Sequence, residues 1–159
     1  MIKGFEPSLF DKLFDDLPLG AVRRRLSLEQ LKDSVARDLE ALLNTRAILD
    51  QPFGDAFPLA VRSVAGFGMS DFAGFSLANV HDRGRICASI GSAISAHEPR
   101  LRDVRVDLEL HRKTVNALYF SINAMLFVRP AQEPVAFDAL LQPTSLQYSV
   151  SRHRPRLGA

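Results

Sequence analysis

Halfway along this chain the spacing of apolar residues changes period, and that change limits the folds open to it. Leu28, Leu31, Val35, Leu39 and Leu42 recur at steps of three and four, the spacing that lines up one face of an α-helix. From Val104 onward the step is two: Val104, Val106, Leu108 and Leu110 alternate with Arg105, Asp107 and Glu109. Leu118, Phe120, Ile122, Ala124, Leu126 and Val128 then occupy every second position of the next run. Alternation sends successive side chains to opposite faces of a strand, so each run reads as a strand with one buried face. Helices first and strands afterwards predict an α+β fold, with two main helices packed on one face of a mostly antiparallel sheet of about four strands.

Local signals sharpen these elements. Ser27 and Gln30 have the spacing of a capping box, which starts the first helix at Ser27 and carries it to about Asn44. Pro52, Gly54 and Pro58 then predict a long irregular connection through Thr45 to Arg62, followed by the turn-rich SVAGFGMSDFAGFSL. Asn79 can cap a second helix, with Asp82 at its third position. That helix places Ile86, Ile90 and Ile94 in one row and ends before Pro99, although Gly84 and Gly91 weaken it and packing must hold it. HRKTVNA links the two alternating runs as a long-turn antiparallel hairpin. Pro130 and Pro134 are expected to break the chain before two shorter strands, around Ala136 to Leu140 and Leu146 to Val150.

The expected organisation is an N-terminal arm over residues 1–25, one α+β domain over 26–150 and a disordered basic tail over 151–159. In the arm, Leu9, Phe10, Leu13 and Phe14 make a short amphipathic turn that Ser8 can cap, with Asp11 three residues on. Its apolar side is too small to fold alone and must dock, either on its own domain or on another chain. Three of the five cations after residue 112 fall in the tail, as Arg152, Arg154 and Arg156. Without these three a formal charge of +2 becomes −1, so the rest of the chain offers no basic face of the kind that binds nucleic acid.

Few residues here suit catalysis or metal binding. Cys87 is the single cysteine and sits inside the second expected helix, where it reads as a packing residue. His81, His97, His111 and His153 lack ligand spacing, and neither a phosphate-binding glycine loop nor a GxSxG or SxxK serine context occurs. The expectation is no catalytic residue, no cofactor, no metal and no small-molecule substrate. The longest apolar run, Ala124 to Val128, is far too short to cross a bilayer, and MIKGFEPSLF has no signal-peptide pattern. A cytoplasmic protein without direct membrane insertion is expected.

One acid stands apart. Glu98 falls at the C-terminal end of the second helix, where the macrodipole disfavours a carboxylate, so it needs a cation. Pro99 stops the helix, and Arg100 and Arg102 can then project beside Glu98. Two readings stay open: an internal Glu/Arg corner that sets the angle from helix to strand, or an exposed ion-pair patch that offers an arginine fork to a partner's acids.

With these pieces in order, the chain resembles the TssE family of type VI secretion baseplate subunits, within the wider family of phage contractile-tail baseplate wedge proteins labelled lysozyme-like. Five segments carry the resemblance between about Ser8 and Val150: SLFDKLFDD, RRRLSLEQLKDSVARDLEALLNTR, SVAGFGMSD, HEPRL and EPVAFDALLQPTSLQYSV. It departs at Gly66 and Ser70, where an asparagine and a proline would be expected, and in the two helix glycines. The resemblance implies a structural baseplate part in which Glu98, Pro99 and Arg100 help dock the contractile sheath, with Arg102 beside them. It further implies an arm around Leu9, Phe10 and Leu13 that grips wedge subunits of the TssF, TssG and TssK kinds, with assembly at the inner face of the cell envelope. On this reading Arg100→Glu should spare the fold and abolish sheath assembly. The rival reading, implied by the lysozyme-like label, is a peptidoglycan-cleaving hydrolase with Glu98 as acid. The neighbouring arginines oppose that, since they favour the ionised form.

Overall fold

A computed structural model describes residues 4–14, 25–49, 51–70, 74–76, 79–109, 117–129 and 131–153. Among these, five α-helices precede four strands: α1 (Leu9–Leu13), α2 (Leu28–Asn44), α3 (Gln51–Ala56), α4 (Pro58–Val61), α5 (Val80–His97), β1 (Leu101–Leu108), β2 (Leu118–Val128), β3 (Ala131–Gln142) and β4 (Gln147–Arg152). Among the described residues a 3-10 turn, Val64–Gly66, lies between α4 and α5. The fold is α+β. The sheet is antiparallel throughout, with strand order β1-β2-β3-β4; α2 packs mainly on β4 and α5 on β1.

The capping box starts α2 as its spacing predicts: Ser27 Oγ accepts from the Gln30 N–H at 3.2 Å, and Gln30 Oε1 accepts from the Ser27 N–H at 2.9 Å. Satisfying two orphan donors in this way is worth about 1 kcal/mol. Leu31, Val35, Leu39 and Leu42 are buried, and they meet Ile86, Ile90 and Ile94 of α5 over the inward residues of the sheet, including Phe120, Ile122 and Phe137. Asn79 caps α5 by accepting from the His81 N–H at 2.9 Å. Asp82 turns instead to the Ser76 N–H, also at 2.9 Å, so no reciprocal box forms there.

Three strand expectations change. β1 begins at Leu101, three residues early, because a bulge lets it: Arg102 pairs with Met125 and Arg105 with Asn123, so Asp103 and Val104 share the place opposite Ala124. Leu101 and Val104 are an odd number of residues apart, and only an extra residue turns both inward. Asp103 takes the strain with φ of 53°, which aspartate tolerates better than most residues. β1 runs to Leu108, and the expected end at Leu110 and residues 111–116 of the hairpin link lie outside the described residues.

The second change is at Pro134, which does not break the chain: it pairs with Met125 inside one continuous β3. The His153 N–H donates to the Ala136 carbonyl at 2.9 Å, so the polar groups of Ala136 face the β4 side. Pro134, two residues earlier, faces the same way, beyond the last β4 pairing of Phe137 with Arg152. Its missing N–H therefore falls on an open edge and costs the ladder nothing. Pro130 lies outside the described residues. The third change is at the tail: Ser151 and Arg152 belong to β4, and Arg152 holds Asp33 of α2 at 2.6 Å and also pairs with Glu29. Residues 154–159 are outside the described set.

The connection after α2 is less irregular than its prolines suggest. Pro52 sits within the first turn of α3 and Pro58 is the first residue of α4, positions where a missing N–H breaks no helical bond. A Cβ on Gly66 would come within 2.0 Å of the Val61 carbonyl oxygen, so the departure from the family pattern at Gly66 is a close approach that only glycine allows.

Candidate functional site

The end of α5 turns sharply into β1. The Glu98 N–H closes the helix on the Ile94 carbonyl at 2.8 Å, and the Leu101 N–H reaches the Glu98 carbonyl at 3.1 Å, making a four-residue turn with proline second. Proline presets φ for that position and pushes Glu98 out of the helical region, where it has φ −119° and ψ 84°. Leu101 is buried and begins the sheet; Arg100 ties it further by accepting from the Phe127 N–H at 2.7 Å.

Glu98 is only 5% exposed, and Arg100 supplies its cation. The guanidinium Nε donates to Oε1 at 2.7 Å and Nη2 to Oε2 at 2.5 Å, a bidentate fork, while the Arg100 backbone N–H adds a third bond at 3.2 Å. The same Nη2 reaches Asp38 of α2 at 2.6 Å. Burial opposes the charge on Arg100, but the two carboxylates outweigh it and bind its proton more tightly than usual. At Asp38 burial wins: it raises the carboxyl pKa against the pull of Arg100, and the charges of Glu98 and Asp11 add to the rise. Of the two sequence readings, the geometry matches the internal corner. Arg100 spends its fork within the chain, so Arg100→Glu would leave three acids facing one another. The expectation that this change spares the fold is therefore corrected.

Asp38 is the residue that sequence reasoning missed. It also meets the arm: the Ser8 hydroxyl donates to its Oδ1 at 3.4 Å. Beside it, the fully buried Ser34 hydroxyl donates to Asp11 Oδ2 at 2.5 Å, and Arg37 pairs with Asp11 Oδ1 at 2.8 Å. Asp11 also completes the α1 capping box with Ser8. Its carboxyl is pushed up by burial, but Ser34, the Ser8 N–H and Arg37 together hold it below the usual value. Arm, α2 and corner thus form one polar chain, Arg37–Asp11–Ser34 beside Ser8–Asp38–Arg100–Glu98. A signal for Asp38 existed: it lies four residues after Ser34 and seven after Leu31, on the margin of the buried stripe, where a carboxylate requires a partner.

The arm docks on its own domain through its polar side, and its apolar side faces out. Leu9 is 69% and Leu13 66% exposed, and the Phe10 ring stacks on Phe14 with centroids 6.4 Å apart. Pro99 and Arg102 are exposed as well, with the Arg102 guanidinium 4.5 Å over the Phe127 ring. The turn thus divides its four named residues: Glu98 and Arg100 point inward, Pro99 and Arg102 outward. Among the described residues no three His, Cys, Asp or Glu gather as a metal would require, and no helix is long and apolar enough to cross a membrane.

The model of the baseplate wedge protein gp25 family matches residues 29–131, from the first turn of α2 to the start of β3 and well over half of the chain. The chain belongs to the gp25 baseplate wedge family. Membership assigns it a structural place in a phage-like baseplate, among other baseplate proteins. The matched stretch of this wedge protein contains the corner at Glu98 and its partner Asp38, but neither the arm nor the length of β3 and β4. No curated protein matches the chain.

Proposed function

We propose that this wedge protein is a baseplate component of a bacterial type VI secretion system and docks the contractile sheath onto the wedge. The observation that carries the reading is the built corner. Two carboxylates and one arginine, set around a proline turn, hold Pro99 and Arg102 outward at the start of β1, an edge strand of the sheet. An edge strand with unpaired polar groups is a ready template for a partner's strand. Glu98 and Arg100 act in this reading by positioning, and Pro99 and Arg102 by contact. The outward Leu9, Phe10 and Leu13 grip wedge subunits of the TssF, TssG and TssK kinds. Assembly takes place in the cytoplasm against the inner face of the envelope, and neither nucleic acid nor a small-molecule substrate takes part.

A non-enzymatic role is supported by the state of Glu98, since both oxygens of the acid needed by a peptidoglycan hydrolase are bound by Arg100. The test is Arg102→Glu, an exposed change that leaves Glu98, Pro99, Arg100 and Asp38 in place and gives up only the contact with the Phe127 ring. The variant should fold, lose no more than about 1 kcal/mol of stability and still join the wedge while sheath assembly fails. Sheath assembly at the parental level would overturn the docking role.

A further inference from the structure

Asp38 places one carboxylate oxygen on each of two neighbouring parts of the molecule. Oδ1 accepts from the Ser8 hydroxyl of the arm at 3.4 Å, and Oδ2 accepts from Arg100 Nη2 of the corner at 2.6 Å. α1 runs against α2, so that its polar side meets two successive turns: Ser8 lies over Asp38, and Asp11 over Ser34 and Arg37, one turn nearer the start of α2. Before α1, Phe5 and Leu26 exchange backbone bonds at 2.9 and 2.8 Å and anchor the arm at its root. A helix of five residues does not hold its own fold in water, and α1 buries none of its own residues. What seats it on α2 is therefore this set of hydroxyls and charges.

The seated arm changes what Asp38 needs. With the buried Ser8 over it, Asp38 is half-buried, and burial disfavours its charge. A carboxylate closed off from water in this way is costly to leave unpaired, so Arg100 Nη2 is held on it. When the arm lifts, water solvates Asp38, the ion pair weakens toward the small value of an exposed one, and the Arg100 fork rests on Glu98 alone. The dependence runs in both directions. Without Arg100, seating the arm would close water off from an uncompensated carboxylate, so the fork also holds the arm. Two events that favour each other in this way share one coupling free energy, whichever comes first.

We infer that Asp38 couples the arm to the sheath-docking turn, so that seating the arm on α2 fixes the Arg100 fork and with it the outward set of Pro99 and Arg102. The inference rests on the docking role proposed above and adds an order of assembly to it. A wedge subunit that grips Leu9, Phe10 and Leu13 of the seated arm stiffens the turn before the sheath arrives. Asp11, which meets Ser34 and Arg37 of its own chain, is then a positioning residue for sheath docking.

The experiment uses the purified full chain. Heteronuclear NMR measures how fast the Arg100 guanidinium rotates, since Nη2 must leave both carboxylates for the group to turn. Amide exchange of residues 8–14 reports the arm, with the β2 amides as the reference for global opening. The arm is released in two ways, by Asp11→Asn and by the charge-neutral Ser34→Ala. Each should speed the exchange of residues 8–14 and the Arg100 rotation about fivefold or more, beyond any change in β2. In an Asp38→Asn background, releasing the arm should no longer change the rotation. Parental rotation in both released variants, or an equal acceleration in the Asp38→Asn background, would overturn the coupling. An arm that stays seated in both would overturn it too, since these groups would not be its latch. All readings are taken on the isolated protein, so they are independent of the Arg102→Glu assay. Loss of the coupling with sheath docking intact rejects only this inference, and parental sheath assembly in Arg102→Glu rejects the docking role while the coupling of arm and turn stands.

Discussion

Tyr148 shows how one buried atom can be a liability in a well-filled core. Its ring packs against Phe120 at 6.4 Å, and burial pushes its hydroxyl pKa up to about 12, yet that oxygen has no hydrogen-bond partner among the described residues. A buried hydroxyl without a partner forfeits its hydration for no return. Tyr148→Phe should therefore leave the fold unchanged and raise stability by about 1 kcal/mol, read as a higher urea midpoint at constant slope. A loss of stability would mean that the hydroxyl has a partner. The sequence placed this residue within an expected last strand, around Leu146 to Val150; its unmet hydroxyl was not legible, because that depends on what lies opposite.

Among the elements, α1 depends most on a single carboxylate. Asp11 caps its own helix and accepts from Ser34 while pairing with Arg37, and its folded pKa is lowered as a result. A lowered carboxyl pKa contributes stability that is present above the unfolded value and lost as pH falls through the folded value. Asp38 runs the opposite way: its raised pKa contributes stability that is present below the unfolded value and lost as pH rises through the folded one. Acidification below about pH 4 should therefore loosen the arm while relieving the charge on Asp38. Amide hydrogen exchange of residues 8–14 should speed up selectively at low pH in the parent, and Asp11→Asn should make it fast at all pH values. Equal protection of the arm in that variant would show that Asp11 is not its tether.

The capping boxes of α1 and α2 could be read from Ser8 with Asp11 and from Ser27 with Gln30 because helix caps are local. The bulge at Asp103 and the unbroken β3 through Pro134 could not. Each depends on where a neighbouring strand begins or ends, and a period-two pattern carries no record of that.

For the whole molecule, the decisive group is the cation between two acids. Removing Arg100 would leave the buried Glu98 and the half-buried Asp38 without the cation they share, whereas Asp38→Asn removes a charge that burial already disfavours. Arg100→Leu should cost about 3–5 kcal/mol of stability, and Asp38→Asn markedly less, both measured by urea denaturation. If the two cost the same, Arg100 is not the keystone of the corner. The amino-acid sequence alone determined the order of helices and strands, the buried stripe of α2, the inward row of β2 and the demand of Glu98 for a cation, since each follows from periodicity or from a helix end. It also carried the family, through segments such as HEPRL and SVAGFGMSD. Only the tertiary structure decided how Arg100 is shared, because Asp38 lies 62 residues away and comes within reach only when α2 packs beside the end of α5. The outward face of the arm was decided in the same way: amphipathic spacing shows that a side is apolar, and packing alone determines whether the chain covers it.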